Sequence, residues 1–101
     1  DGSLRPIKLP MLKCITADGN YSFVHFQDNK RELVLRTLGE WMEVLPEKQF
    51  LRIHRSTIIN SDYVDKVIKL AHYSHAVYLH GMAHPFTMSR RYAIKLKRFM
   101  T

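Results

Sequence analysis

His54-Arg55-Ser56 sets three polar side chains in a row between apolar neighbours, with Phe50, Leu51 and Ile53 before it and Ile58 and Ile59 after it. Arg52 interrupts the first apolar piece. A polar triplet between apolar, largely β-branched segments predicts a turn or a strand end held over a buried sheet. The residue types suit nucleic acid: Arg55 offers a fork for guanine or phosphate, Ser56 a hydroxyl, and His54 a donor and an acceptor on one ring. The plainer reading is a surface loop whose histidine is satisfied by backbone. The segment 50–60 alone leaves both open.

Other chemistry fits less well. His72-x-x-His75 and His80-x-x-x-His84 have spacings that bring a metal to mind. A structural zinc site wants about four converging ligands, usually with thiolates, and the chain has a single cysteine, Cys14, far away in sequence. His72 and His75 also flank a strand start, where an odd spacing sends side chains to opposite faces. No metal is expected. Cys14 lies inside an apolar strand, the place of an inert core thiol rather than a nucleophile. Ser56 would point away from His54 in an extended segment. There is no glycine-rich phosphate loop and no paired carboxylate, so neither an enzyme nor a cofactor is expected.

Charge favours a polyanion. Sixteen Lys and Arg against nine Asp and Glu give 101 residues a net charge of +7 and a pI near 9.8. A folded domain this basic commonly meets nucleic acid, with membrane surfaces as the competing target. No apolar run approaches the ~18 residues of a membrane span, and no signal peptide is visible. The lone cysteine excludes an internal disulfide and fits a reducing cytoplasm. The basic residues gather at Lys30-Arg31, at Arg52 and Arg55, at Lys66 and Lys69, and from Arg90-Arg91 onward.

The elements that must position these groups are mostly strands. The length predicts one domain, 1–101, with one core. Met11 to Thr16 reads as a strand entered from Pro10. Asp18-Gly19-Asn20 is a turn signal, and the aromatic run Tyr21 to Phe26 is the returning strand. Gln27 to Lys30 turns again, and Arg31 to Arg36 carries a third strand. Leu38, Trp41, Met42 and Leu45 then fall on one helical face. Thr37 with Glu40 makes a capping box and Pro46 a stop, so a short helix should pack Trp41 on the sheet. Tyr63 to Leu70 is a strand with Lys66 and Lys69 outward; Ala71 to Ser74 breaks it. In the next strand His75, Val77 and Leu79 share one side, Ala76 and Tyr78 the other. Gly81 turns, Pro85 to Met88 is a last strand, and Ser89 N-caps a terminal helix with an apolar stripe (Tyr92, Leu96, Phe99) and a basic one (Arg91, Lys95, Arg98).

Several of these pieces resemble the LytTR-type DNA-binding domain of bacterial response regulators. Phe50 to Ser56, then Ile59-Asn60 and Tyr63-Val64, resembles its core signature. Ala17 to Tyr21 resembles its first recognition hairpin, Leu38 to Pro46 its short helix, and Met88 to Tyr92 its closing Ser-Arg-Arg-Tyr motif. The resemblance covers nearly the whole chain in order. It implies a mainly β fold: an elongated sandwich of small antiparallel sheets, with one short helix near the middle and another at the C-terminus. It implies sequence-specific binding of double-stranded DNA for transcription regulation, by loop residues entering successive major grooves and bending the duplex. Carried over by position, Asn20, Tyr21, Arg55, Arg90 and Arg91 would contact bases. Lys30, Arg52, Ser56, Lys66, Lys69 and Lys95 would contact phosphates, and His54 would brace the turn that aims Arg55. The chain would then be the C-terminal part of a longer cytoplasmic regulator, behind a receiver or sensor domain, acting on promoter direct repeats or half-sites as a possible dimer. Many members carry one further strand before the point where this chain begins, so the first strand could be missing and an edge left open. Tyr21 stands where some members have a histidine.

Two other readings remain at this point. One is a protein-interaction or sensor module that binds through a sheet edge. The other is RNA binding through Tyr21, Phe23 and Phe26, which requires those rings exposed on one sheet face.

Overall fold

The computed structural model describes residues 6–99, without the side chains of Tyr73 and residues 95–99. Eight strands form two antiparallel sheets. β1 (Leu12–Asp18), β2 (Tyr21–Phe26), β3 (Arg31–Val34), β4 (Phe50–His54) and β5 (Thr57–Asn60) make a five-stranded sheet in the order β3-β2-β1-β5-β4. β6 (Val64–Lys69), β7 (His75–Leu79) and β8 (Phe86–Met88) make a three-stranded one in that order. Two helices complete the fold, α1 (Leu38–Val44) between β3 and β4 and α2 (Arg90–Phe99) at the end.

Alternation along β1 and β5 sends apolar side chains to both faces of the large sheet, and both faces are covered. Leu12, Ile15, Val24, Phe50 and Ile58 pack under Leu38, Trp41 and Leu45 of the α1 segment. Cys14, Leu51, Ile53 and Ile59 on the other face pack against Val77, Leu79 and Met88 of the small sheet, with Tyr92 of α2 beside them. The sandwich is elongated, 46 × 24 × 23 Å.

α1 forms where its sequence signals place it. The Thr37 hydroxyl accepts from the Glu40 N–H at 3.2 Å, and the Glu40 carboxylate accepts from the Thr37 N–H at 3.1 Å. Trp41, 4% exposed, is tied to the large sheet by its indole N–H, which donates to Ser22 Oγ at 2.8 Å. Boundaries shift slightly elsewhere. Met11 lies in a single 3₁₀ turn (Leu9–Met11) that contains Pro10, and β3 ends at Val34 rather than Arg36.

Lys13 departs most from ordinary strand behaviour. The ladder slips between Leu12 and Cys14, a bulge at Lys13, and its side chain is only 3% exposed. The ammonium donates to Asn29 Oδ1 at 2.8 Å and lies against Gly81, where a Cβ would stand 2.9 Å from Nζ. Gly81 has φ +78°, so the backbone favours glycine there, and an added side chain would also have to displace the Lys13 ammonium.

Candidate nucleic-acid interface

Strand pairing decides which loops share an end of the molecule. β1 runs toward Asp18 and turns through Gly19 and Asn20 into β2, with Asp18 opposite Tyr21. Gly19 has φ +61°; Asn20 does not share the positive φ, so the signs fit a II′ hairpin turn with Asn20 at its tip. β5 pairs antiparallel with β1, Thr57 opposite Thr16. The turn between β4 and β5 therefore opens at the same end as the Asn20 turn, and the Ala17 N–H donates to Ser56 O at 2.9 Å. At the outer edge of β4 the Ser89 N–H donates to Ile53 O at 3.0 Å, which seats the start of α2 beside that turn. Asn20, Tyr21, Arg55, Arg90 and Arg91 are thus brought to one end on three neighbouring segments, and all five are exposed. Strands lie about 4.8 Å apart, so the tips of the two hairpins stand roughly 10 Å from each other.

The turn carrying Arg55 is braced from within. The Arg52 guanidinium donates to His54 O at 3.4 Å and to Arg55 O at 2.8 Å, two of its five N–H groups fixing the carbonyls of the turn. The Ser56 N–H donates to His54 Nδ1 at 3.2 Å, and Ser56 Oγ lies 2.8 Å from the same nitrogen. Nδ1 accepts, so the proton of the neutral ring sits on Nε2. The expectation that Ser56 points away from His54 does not hold: residues two apart share a face in an extended strand, and the turn that follows the bulge between Arg52 and His54 draws the two into hydrogen-bonding distance. His54 is structural here, as its place on the strand suggests, and Arg52 and Ser56 serve the turn as well.

The remaining candidates divide by location. Lys69 pairs with His75, which is opposite Met88, so it lies at the end of the small sheet next to Ser89 and Arg90. Lys66 is three rows farther back, its ammonium 4.9 Å from the Tyr78 ring centroid. Lys30 is not brought to this end. It sits in the β2–β3 turn, where Phe26 opposes Leu12 at the start of β1, and pairs loosely with Asp28 at 3.9 Å. Residue 95 lies on α2, but the Lys95 side chain, like Leu96, Arg98 and Phe99 and the Asp1-Gly2 start, falls outside the described residues.

The three aromatic residues of β2 do not form one platform. Tyr21 is exposed, the Arg31 guanidinium lies 4.5 Å over the Phe23 ring, and Phe26 packs against the α1-side core on the opposite face. Among the described residues no group of three or more His, Cys, Asp and Glu converges as metal ligands. Cys14 is buried, and burial pushes its thiol up to about 12, so at neutral pH it is protonated. No helix among the described residues is long and apolar enough to cross a membrane.

Sequence reading missed one cation at this end. Arg36 was read as part of a strand, although it follows β3 at the end that carries Asn20. The burial of Lys13, at the other end, was also not foreseen, because it follows from a bulge.

Comparison with known proteins agrees with this architecture. A search of curated proteins finds no match. Among solved structures, the LytTr DNA-binding domain of a protein described as a methyl-accepting/DNA response regulator from Bacillus cereus superposes with a TM-score of 0.84. It is 19% identical, and the match covers 95% of this chain and 86% of that one, which establishes a shared fold. The family model of the LytTr DNA-binding domain matches residues 2–101. The chain therefore belongs to the LytTr DNA-binding domain family, a family of DNA-binding rather than catalytic domains that acts in transcription regulation.

Proposed function

We propose that this chain reads a specific duplex sequence with side chains on the three aligned segments, and holds the duplex with cations around them. The observation that carries this reading is the pair of backbone bonds, Ala17 to Ser56 and Ser89 to Ile53, that lock the three segments side by side. Rigid tips on a strand framework supply what base readout needs, a few donors and acceptors held in fixed register. Asn20 suits the N6/N7 edge of adenine, and Arg55 with Arg90 or Arg91 suits O6/N7 of guanine. Tyr21 stands next to Asn20 to touch the same base step. Lys69, Lys66, Arg52, Ser56 and Lys95 lend phosphate contacts, with Lys30 the most distant candidate. The family resemblance adds that the tips enter successive major grooves and bend the duplex. The wider reading is a cytoplasmic regulator with a receiver or sensor domain upstream in the same chain, binding repeats or half-sites as a dimer.

Selection of bound duplexes from a random pool, followed by titration of the selected and an unrelated duplex, tests the reading. Wild type should prefer the selected duplex, and Arg55→Ala should remove about 1–3 kcal/mol of that preference while changing affinity for the unrelated duplex less. Equal losses on both would remove Arg55 from base reading. A second reading has one observation behind it: β3 is an edge strand, and Leu33 and Leu35 on and after it are 52% and 69% exposed. Stable self-association without any DNA shift would favour a sheet-edge interaction module instead.

A further inference from the structure

We infer that Arg36 grips a backbone phosphate, extending the DNA contact past the Asn20 turn on the β3 side; this rests on the DNA-binding reading above. Val34, the last residue of β3, pairs with Ser22, the second residue of β2. Two residues on, Arg36 lies at the end of the sheet that carries Asn20 and Tyr21, and its N–H donates back to Val34 O at 2.9 Å. The Arg36 guanidinium carbon lies 4.7 Å from the centroid of the Trp41 ring. That ring is a rigid base, since Trp41 is buried and hydrogen-bonded to Ser22. A guanidinium stacked by its face keeps its N–H groups at the rim, and those in-plane pairs are what bind two oxygens of one phosphate.

The acid one turn away does not cancel this arrangement. Glu40 Oε1 accepts from both the N–H and the hydroxyl of Thr37, at 3.1 and 3.0 Å. Those bonds, with the charge of Arg36 adding a lesser effect, hold the Glu40 carboxyl below the usual carboxylate range. The carboxylate is thus committed to the helix cap. Arg36 then closes the row on one side, as Lys69 and Arg90 close it on the other.

The test uses a duplex selected from a random pool by the wild-type protein. Affinity is measured against salt for wild type, Arg36→Gln and Arg36→Lys. The log–log slope should become shallower by about 0.9 in the Gln variant and stay at the wild-type value in the Lys variant. A scan of neutral methylphosphonates along the duplex, on wild type alone, should find a sensitive phosphate on the Asn20 side, and the lack of one there overturns the inference. This second arm keeps the test valid if the Gln variant loses fold, which near-ultraviolet dichroism of Trp41 reports. A Gln variant with a lower melting temperature and an unchanged slope means that Arg36 only covers Trp41, and overturns the inference alone. A wild type that binds no selected duplex takes down the DNA-binding reading, and this inference with it.

Discussion

At the scale of single residues, the interface depends on groups that never need to touch DNA. His54 accepts from Ser56, and Arg52 holds two carbonyls of the same turn. Each such bond contributes about 0.5–1.5 kcal/mol net, so His54→Ala should cost roughly that in stability. It should also weaken selected-duplex binding more than unrelated-duplex binding, because Arg55 loses its aim. Chemical denaturation alongside the two titrations checks both; a variant with lower stability and unchanged discrimination would confine His54 to packing. His25 offers a pH test of a different kind. Its Nε2 lies 3.0 Å from Thr16 Oγ1, and burial first, then the charges of Arg31 and Lys13, hold its pKa below the ordinary imidazole value of about 6.5. The unfolded chain therefore takes up the proton more readily than the folded one. The stability that the neutral ring contributes is complete above about pH 6.5 and is lost as pH falls below it toward the lowered folded value. Melting temperature should drop across that window, and His25→Gln should flatten part of the drop. Curves of equal steepness for the two proteins would contradict this.

At the scale of elements, the local signals were legible and the non-local ones were not. The Asp18-Gly19-Asn20 turn, the Thr37–Glu40 cap and the Pro46 stop are contained within a few residues, so the sequence displays them directly. The placement of Asn20, Arg55 and Arg90 at one end depends on β5 pairing with β1 and on Ser89 meeting Ile53, contacts between residues more than thirty positions apart. Only the family resemblance suggested it. A bulge hid the rest: a strand read by strict alternation cannot show that Lys13 turns inward. Lys13 makes its own test possible. Gly81→Ala forces a side chain into a left-handed position and against the ammonium that Asn29 holds. The left-handed conformation alone costs about 1–2 kcal/mol. Urea denaturation should show at least that loss, while DNA affinity per folded molecule stays near wild type because Gly81 belongs to the opposite end. A loss in affinity as large as that of Arg55→Ala would refute the separation of the two ends.

At the scale of the whole molecule, the +7 charge is distributed by the fold. The end with the three segments carries Arg36, Arg52, Arg55, Lys69, Arg90 and Arg91, against Asp18 beside the hairpin turn and Glu40 beside Arg36. The opposite end carries Asp28, Glu47, Asp62 and Asp65 next to Lys13, Lys30 and Lys48. β1 has seven residues and spans about 20 Å, two Debye lengths at ~0.1 M salt, so the two ends act on a polyanion almost independently. On the proposed reading, direction as well as strength follows: the basic end should meet the duplex first, and the mixed end should contribute little to the counterions released. Lys69→Ala and Lys30→Ala remove the same charge from opposite ends and so separate position from net charge. Lys69→Ala should weaken selected and unrelated duplexes alike and make the salt slope shallower by about 0.9, whereas Lys30→Ala should leave both affinities and the slope close to wild type. If the two variants lost affinity equally, net charge rather than its placement would govern binding, and the duplex would have no preferred end.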